Sequence, residues 1–373
     1  MHDNTPKNDK LRKFDKKIRK KFMAQPDSVK AKSLKAKTFI LYPFELKENQ
    51  NKTFEQKEME SLSLIEEHLK KYKKCFVATS YGMDSIVLMH MVIRASKNIG
   101  CELPDMVLND TLNTFREEKQ YWADINKLWN IEHKFILYKP PKGKDGKQQT
   151  VWTIAKKYGH LPTFRSMQGR GKSFKSLPDV DRKYVEKGHS AGSKGTTPEC
   201  CDILKKKTMK LHMKNMPEGE RYDCHFVGTR AEESRMRAIS VLQRCRTYLI
   251  TKMFPHPIRA CTPLSFWKKE DIYEYYARYN IPKNPAYKAH NLQRMGCASC
   301  PAHKGWEVRL AIDPTNEGLG MLMMNLKILS ETEPERLAQS IKILDNYTKK
   351  KDNELTDKMK LRIEELVKKY EVV

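Results

Sequence analysis

Short apolar segments rich in β-forming residues alternate with helical segments along the chain, and this alternation constrains the fold most strongly. Strands that are separated by helices of this length pair in parallel, with right-handed crossover connections. The sequence therefore predicts an α/β fold around a parallel sheet. The predicted strands are 74–80, 105–110, 133–139 and 224–230, and the predicted helices are 53–71, 85–96 and 116–130.

The segment TSYGMDS, residues 79–85, connects the first predicted strand to the helix that follows it. Backbone N–H groups at a helix N-terminus point outward, and the helix dipole favours negative charge there. The hydroxyls of Ser80 and Ser85 can add hydrogen bonds, and Gly82 permits close backbone approach. The segment is not a Walker loop, because GxxxxGK[ST] is missing. We interpret it as an anion-binding loop, with an ordinary helix cap as the alternative.

Four of the nine cysteines have a spacing typical of a metal or cluster site. Cys297 and Cys300 form a CxxC pair, which holds two thiolates on one turn, and Cys200 and Cys201 are adjacent. This set satisfies the four-thiolate ligation of an iron–sulfur cluster. A zinc site, a redox disulfide and unrelated buried thiols are the alternatives. The other cysteines are interpreted as small apolar residues: Cys75, Cys101, Cys224, Cys245 and Cys261.

A formal net charge of +26 indicates a polyanionic partner, with nucleic acid as the leading candidate and a lysine-rich proteome as the alternative explanation. The excess is uneven: residues 1–37 hold 13 Lys and Arg against 4 Asp and Glu, and residues 139–215 hold 19 against 6. The chain has no run of 18 apolar residues and no apolar segment near its start. We therefore expect neither a membrane span nor a secretory signal, and the cysteines then indicate a reducing, cytoplasmic location.

Residues 228–237, GTRAEESRMR, follow the last predicted strand. Arg230 and Arg237 can pair with phosphate oxygens through bidentate hydrogen bonds, and Glu233 can orient them. The alternative is a surface helix with exposed charge pairs.

Taken in order, these motifs resemble the phosphoadenosine phosphosulfate reductase-like family of the adenine nucleotide alpha-hydrolase, or PP-loop, superfamily. The first loop is similar to the family's SGGxDS, with Tyr81 in place of the first glycine. CCDILK fits its CCxxxK pattern, and later residues follow its order PLxxW, PxNPxY and RxGC. The matching segments are 79–85, 200–205, 228–237 and 263–297, within residues 74–310.

The resemblance implies a Rossmann-like parallel sheet in which the first loop grips the pyrophosphate of ATP. It also implies that Asp84 lies near a Mg²⁺ ion, and the retained Asp84-Ser85 pair favours ATP activation. The implied nucleotide-binding residues are Ser80, Tyr81, Gly82, Asp84, Ser85, Asp110, Gly228 and Glu233.

The resemblance further implies a [4Fe-4S] cluster, with zinc as the fallback, and a cation at Lys205 beside it. The implied cluster ligands are Cys200, Cys201, Cys297 and Cys300. The implied catalytic residues are Asp84, Lys205, Arg230 and Arg237.

Two departures from the family decide the expected activity. Sulfonucleotide reductases carry a nucleophilic cysteine near the C-terminus, whereas no cysteine follows Cys300 here, and the basic segments exceed what a small nucleotide requires. We expect an ATP-pyrophosphatase-type, iron–sulfur-dependent sulfurtransferase acting on nucleic acid, in DNA phosphorothioation or tRNA thiolation. A sulfonucleotide reductase and a nucleotide-sensing, DNA-binding regulator are the alternatives. The expected partners are an adenine nucleotide, a nucleic acid (DNA or tRNA) and a sulfur donor such as a cysteine desulfurase. No membrane partner is expected. A homodimer is compatible with the sequence.

The domain organisation predicted from composition has three parts. They are a basic N-terminal arm at 1–50, a nucleotide-binding domain at 51–310 with a basic insertion at 140–199, and a C-terminal helical segment at 311–373. In that last segment Thr332 and Glu335 form a capping-box pattern, with Pro334 in the first helical turn.

Overall fold

A computed structural model describes residues 40–158, 161, 198–251, 254–292, 295–301, 305–313, 315–350 and 355–371. Most of the predicted basic arm and most of the predicted insertion at 140–199 lie outside the described residues. Among the helices described, none is long and apolar enough to cross a lipid bilayer.

The predicted sheet is confirmed: six strands lie in the order β3-β2-β1-β4-β6-β5. β1 pairs in parallel with β4, and β4 with β6, whereas β5 pairs antiparallel with β6 at the edge. The four predicted strands are present, but β5 and β6 were not predicted. The strands are β1 Cys75–Thr79, β2 Asp105–Asn109, β3 Phe135–Tyr138, β4 Cys224–Val227, β5 Thr247–Ile250 and β6 Ile258–Cys261.

Helices connect the strands and form the whole C-terminal part of the described chain. Three short 3₁₀ turns, at Glu132–Lys134, Glu218–Glu220 and Ala231–Glu233, and one π-helical turn, at Asp202–Lys207, interrupt the series. The α-helices are α1 Pro43–Gln50, α2 Phe54–Lys71, α3 Met83–Ile99, α4 Arg116–Leu128, α5 Val151–Tyr158, α6 Pro198–Cys201, α7 Thr208–Lys214, α8 Arg235–Arg244, α9 Lys269–Arg278, α10 Ala286–Ala289, α11 Trp306–Ala311, α12 Asn316–Thr332, α13 Pro334–Thr348 and α14 Asp357–Glu371.

The chain forms two compact units. The first comprises the described residues within 40–79, 83–106 and 220–281, and the second comprises the described residues within 80–82, 107–219 and 282–371.

In the first unit, α3 is apolar nearly all round, as the sequence predicts for a helix packed under a sheet. Ile86, Val87, Leu88 and Met89 are fully buried in its first turns. Burial of each large apolar side chain stabilises the folded state by about 1.5–3 kcal/mol. This packing fixes the N-terminus of α3, where Asp84 and Ser85 lie.

In the second unit, the C-terminal helices share one apolar core. The sequence predicts an apolar stripe on the last helix at Met359, Ile363 and Leu366/Val367, and Ile363, Leu366 and Val367 are buried in this core, with Met359 packed against it. The predicted capping box is wrong. The N-cap of α13 is Glu333, with Pro334 at the first helical position, and no side chain caps it. Thr332 instead donates its hydroxyl to the Ile328 carbonyl and belongs to the end of α12.

The sequence predicts an apolar face on α4 with Trp122, Ile125 and Leu128 or Trp129, and Trp122 and Ile125 are buried. Leu128 does not belong to this face, because its side chain is 60% exposed where the helix ends, whereas Trp129 is half-buried. Tyr121 is buried in the same helix instead.

His225 in β4 is buried among aromatic side chains of the first unit. Its ring lies between Phe76 and Phe254, and its Nε2 atom has no hydrogen-bond partner among the described residues. Burial lowers the pKa of His225 to about 4. Between pH 6.5 and 4 the unfolded chain binds a proton that the folded chain does not, so stability falls as the pH falls through this window.

We expect this residue to contribute about 3 kcal/mol to the loss of stability between pH 7 and pH 4. The variant His225→Leu removes the titrating group, so its urea-unfolding free energy should decline less steeply on acidification than that of the wild type. Equal slopes in the two proteins would show that His225 does not titrate as its burial indicates.

Candidate functional site

Asp84, at the start of α3, and Arg230, after β4, form an ion pair in the first unit. The Arg230 Nε atom lies 2.7 Å from Asp84 Oδ1, and its Nη1 atom lies 3.0 Å from Glu232 Oε2. Arg230 is 8% exposed, so its charge is balanced by two carboxylates in a largely buried position. The structure therefore brings together the residue predicted to lie near Mg²⁺ and a residue predicted to bind phosphate.

Glu233 contacts both predicted phosphate-binding arginines. Its Oε2 atom accepts a hydrogen bond of 3.3 Å from the backbone N–H of Arg230, and its carboxylate pairs with the Arg237 guanidinium one helical turn later. The carboxylate thus holds the 3₁₀ turn and the first turn of α8 to each other. These contacts suit the orienting role predicted for Glu233.

Gly228 lies where β4 ends, against the backbone at the start of α3. A Cβ atom at this position would lie 3.0 Å from the Asp84 carbonyl oxygen and 3.3 Å from the Ser85 nitrogen. Backbone atoms cannot yield as the end of a flexible side chain can, so only glycine fits without moving the helix start.

Gly228→Ala is therefore expected to displace Asp84 and to weaken nucleotide binding about 10-fold, because its methyl group meets backbone on one side. Gly219→Ala is the matched control, since a Cβ atom there meets nothing within 4 Å. Isothermal titration with an ATP analogue measures both. Unchanged affinity in the Gly228 variant would mean that this glycine does not set the geometry of the loop.

Residues 80–82 of the predicted anion-binding loop belong to the second unit. Tyr81 has φ +51°, a left-handed conformation that costs a non-glycine residue about 1 kcal/mol. Its side chain is fully buried, where its hydroxyl donates a 2.5 Å hydrogen bond to Asn126 Oδ1 and its ring packs against Trp122 and Phe135. Tyr81 can therefore face a ligand only with its backbone.

Gly82 and Ser80 flank this tyrosine. Gly82 is buried, and a Cβ atom on it would lie 3.4 Å from the Met295 Cβ atom and 3.6 Å from the Tyr287 hydroxyl, whereas Ser80 is exposed. These are ordinary van der Waals distances, so the space around Gly82 does not by itself require glycine.

Asp110, predicted to lie near the nucleotide, is buried at the end of β2. Its Oδ1 atom accepts a 2.7 Å hydrogen bond from the N–H of Leu112, and its own N–H donates to the Tyr138 carbonyl. Leu112 has φ +58°, and this side chain stabilises that turn. The contacts in the structure give Asp110 a turn-forming role.

The four predicted ligand cysteines lie together in the second unit. Cys200 and Cys201 end α6, and the π-helical turn that starts at Asp202 continues from them. Cys297 and Cys300 close a tight turn in which the Cys300 N–H donates a 3.2 Å hydrogen bond to the Cys297 carbonyl. Burial first, and then the charges of Cys297, Cys201 and Cys300, raise the pKa of the Cys200 thiol.

Two cations flank the cysteines. Interaction with the four cysteine side chains, led by that of Cys297, raises the pKa of Lys205. Burial lowers the pKa of the Arg309 guanidinium in α11, and the charge of Cys300 opposes this shift. A four-thiolate cluster carries net negative charge, which such cations compensate. Lys205 was predicted here; Arg309 was not.

A buried hydrogen-bond network holds the Cys297–Cys300 turn in place, and sequence reasoning missed it. Asn113 accepts hydrogen bonds from the N–H and the hydroxyl of Ser299, and its carbonyl accepts the N–H of Ala298. Asn325 donates to the Ser299 carbonyl at 2.9 Å and accepts from Trp152 Nε1. Residues of this kind orient metal ligands and do not bind a metal themselves, so they carry no ligand-like spacing in the sequence.

The donor set of the site fits an iron–sulfur cluster. Four cysteine thiols are the ligands that a [4Fe-4S] cluster requires, and they also suit tetrahedral zinc.

Comparison with known proteins places these features in a family. The sequence profile of the phosphoadenosine phosphosulfate reductase domain matches residues 74–303, while no curated protein sequence matches the chain. Among solved structures, the phosphoadenylyl-sulfate reductase of Candida auris is 13% identical, with 68% of this chain and 94% of that chain covered and a TM-score of 0.38. The U34-tRNA thiolase NcsA of Methanococcus maripaludis, solved with its [4Fe-4S] cluster, is 14% identical, with 76% and 80% covered and a TM-score of 0.34.

Proposed function

Because the chain belongs to the phosphoadenosine phosphosulfate reductase family, we propose that it is an ATP-using, iron–sulfur-dependent sulfurtransferase that acts on nucleic acid. The family is one of enzymes. The observation that carries the proposal is the gathering of Cys200, Cys201, Cys297 and Cys300 in one unit, with Lys205 beside them. Retention of an acidic residue at Asp84, paired with Arg230, supports use of ATP.

The proposed role of the first unit is to hold and split ATP. The Asp84 carboxylate, whose Oδ1 atom lies 2.7 Å from Arg230 Nε, would hold the Mg²⁺–pyrophosphate group. Arg230, already placed by Glu232 and Glu233, would then pair with phosphate oxygens through its planar fork, and Arg237 would join it. Guanidinium groups fixed in advance stabilise the charge that develops as pyrophosphate leaves.

The proposed role of the second unit is to hold a [4Fe-4S] cluster on the four cysteines. The cluster, when bound, would supply the site that carries sulfur. Val151, Ile154 and Leu204 pack around Cys200 and shield this side of the site from water. Lys205 would place positive charge beside the anionic sulfur while this sulfur is transferred.

The proposed reaction balances without an oxidant or a reductant. An oxygen of the nucleic acid attacks the α-phosphorus of ATP, and pyrophosphate leaves. Hydrosulfide then attacks the activated atom, and the oxygen departs with AMP. Nucleic acid oxygen, ATP and hydrosulfide thus give nucleic acid sulfur, AMP and pyrophosphate, with sulfur at the same oxidation level throughout.

The charge of the protein supports nucleic acid as the acceptor. The chain carries +26, and the helical segment that follows Cys201 presents Lys207, Lys210 and Lys214 to solvent. Exposed cations that track a phosphate backbone supply affinity without sequence preference. DNA phosphorothioation and tRNA thiolation are the two acceptor classes to test.

A second candidate function, reduction of adenylylsulfate or phosphoadenylylsulfate, is favoured by the family's own description. The test compares the two reactions in anaerobically purified protein. Our proposal predicts AMP and pyrophosphate from ATP, increased by tRNA or DNA, and no sulfite from either sulfonucleotide. Release of sulfite from a sulfonucleotide without nucleic acid, together with no ATP turnover, would replace our proposal with the reductase.

A further inference from the structure

His290 in the second unit is buried between carboxylates from two directions. It is 1% exposed and stacks on Phe115, with ring centroids 3.6 Å apart. Its Nδ1 atom lies 2.7 Å from Asp313 Oδ2, and its Nε2 atom lies 2.9 Å from Glu117 Oε2. Neither the proposed ATP chemistry nor the cysteine site uses these residues.

Asp313 determines which ring nitrogen carries the proton. Its Oδ1 atom already accepts the N–H and the hydroxyl of Thr315, at 2.8 and 2.7 Å, and its side chain is almost wholly buried. The remaining oxygen, Oδ2, therefore takes the Nδ1–H of His290. The Nε2 atom of His290, 2.9 Å from Glu117 Oε2, is then the ring atom that a metal ion could bind.

Glu317 of α12 completes the group. One ligand atom from each of Glu117, His290 and Glu317 lies within 4.8 Å of the others. A backbone N–H, that of Arg116, lies 3.4 Å from Glu317 Oε2 and directs this carboxylate. The imidazole is deeply buried, whereas Glu317 is exposed and Glu117 is 34% exposed, so an ion could enter from solvent and keep water ligands.

We propose that Glu117, His290 and Glu317 bind a divalent transition-metal ion, oriented by the Asp313–His290 hydrogen bond. One imidazole and two carboxylates suit ions such as Mn²⁺, Fe²⁺ or Zn²⁺. The N–O separation of 2.9 Å fits two ligands at right angles with bonds of about 2.1 Å. A carboxylate that orients the metal-binding histidine from its other nitrogen is a common feature of such sites.

Mn²⁺ is the probe that separates this site from the cysteines, because thiolates bind it poorly and carboxylates bind it well. We titrate the full chain with Mn²⁺, without nucleotide, and follow the free ion by electron paramagnetic resonance. The wild type is expected to bind one ion that Glu117→Gln and Glu317→Gln each weaken by about 10-fold or more. Glu331→Gln is the matched control on α12, where Glu331 pairs with Lys156 instead.

Circular dichroism of each variant checks that it is folded, which is expected because both glutamates keep an acceptor oxygen as glutamine. Loss of Mn²⁺ in the two site variants, with wild-type affinity in the Glu331 variant, establishes the site. No Mn²⁺ bound by the wild type, or equal affinity in all four proteins, overturns the proposal and leaves the contacts of His290 with Asp313 and Glu117 as structural hydrogen bonds.

Discussion

Cys297→Ser is expected to abolish the iron–sulfur cluster. The wild type, purified without oxygen, should hold about four irons and four sulfides per chain, with absorbance near 400 nm. Cys297 Sγ lies 3.4 Å from Thr111 Oγ1, in a turn that the Asn113–Ser299 hydrogen bonds fix. A serine there offers a hydroxyl in place of a thiolate, and three cysteines then remain for four irons. Iron and sulfide analysis should find nearly complete loss.

Cys101→Ser is the matched control for this experiment. Cys101 is partly exposed, lies outside the cysteine site and contacts only the Glu102 carbonyl among the hydrogen bonds observed for its Sγ atom. Iron content equal to that of the wild type is expected in this variant. If the wild type is colourless and holds one zinc per chain with no sulfide, the cluster assignment fails.

Asp84→Asn is expected to reduce ATP cleavage by about 100-fold or more. The substitution removes the carboxylate proposed to meet the Mg²⁺–pyrophosphate group, and fixed charges at such positions contribute about 10²–10³ in rate. Arg230 keeps its contact with Glu232, so the turn after β4 should stay in place. Pyrophosphate release in single-turnover experiments, with tRNA or DNA present, measures the effect.

Asp124→Asn is the control for the aspartate substitution, because Asp124 is an exposed residue of α4 that accepts only from Gln120 in the contacts observed. It should retain the wild-type rate. A rate within about 3-fold of wild type in the Asp84 variant itself would show that this carboxylate does not act on ATP.

The sheet could be predicted from sequence where strands are apolar and lie between helices. β1 to β4 satisfy both conditions. β5 and β6 do not: Thr247–Ile250 and Ile258–Cys261 are four residues each, and no helix separates them. Short paired strands carry little periodicity, so their pairing is decided by contacts that only the fold provides.

The position of the Tyr81 side chain at the candidate site could not be predicted from the sequence. The resemblance implies that Tyr81 binds the nucleotide, at a loop position where the family has a glycine. The structure directs the ring into the core, against Trp122 and Phe135, and the phenol is satisfied by Asn126. Burial of a large aromatic side chain offsets the cost of its left-handed backbone.

The grouping of the four cysteines could be predicted from their spacing, whereas the position of Lys205 beside them came from the resemblance; their roles stay a prediction. Asn113, Arg309 and Asn325 could not be predicted, since single residues far apart in sequence meet only after folding. The domain boundaries at 50 and 310 stay a prediction.

The central claim is tested most directly by following the sulfur atom. The anaerobic protein is incubated with ATP, Mg²⁺, ³⁴S-labelled sulfide and tRNA or DNA, and the nucleic acid is digested to nucleosides and short nucleotides for mass spectrometry. Our account predicts a ³⁴S-containing nucleoside or phosphorothioate that requires ATP and disappears in Cys297→Ser. Nucleic acid free of ³⁴S in the presence of a fully loaded cluster and active ATP cleavage would contradict it.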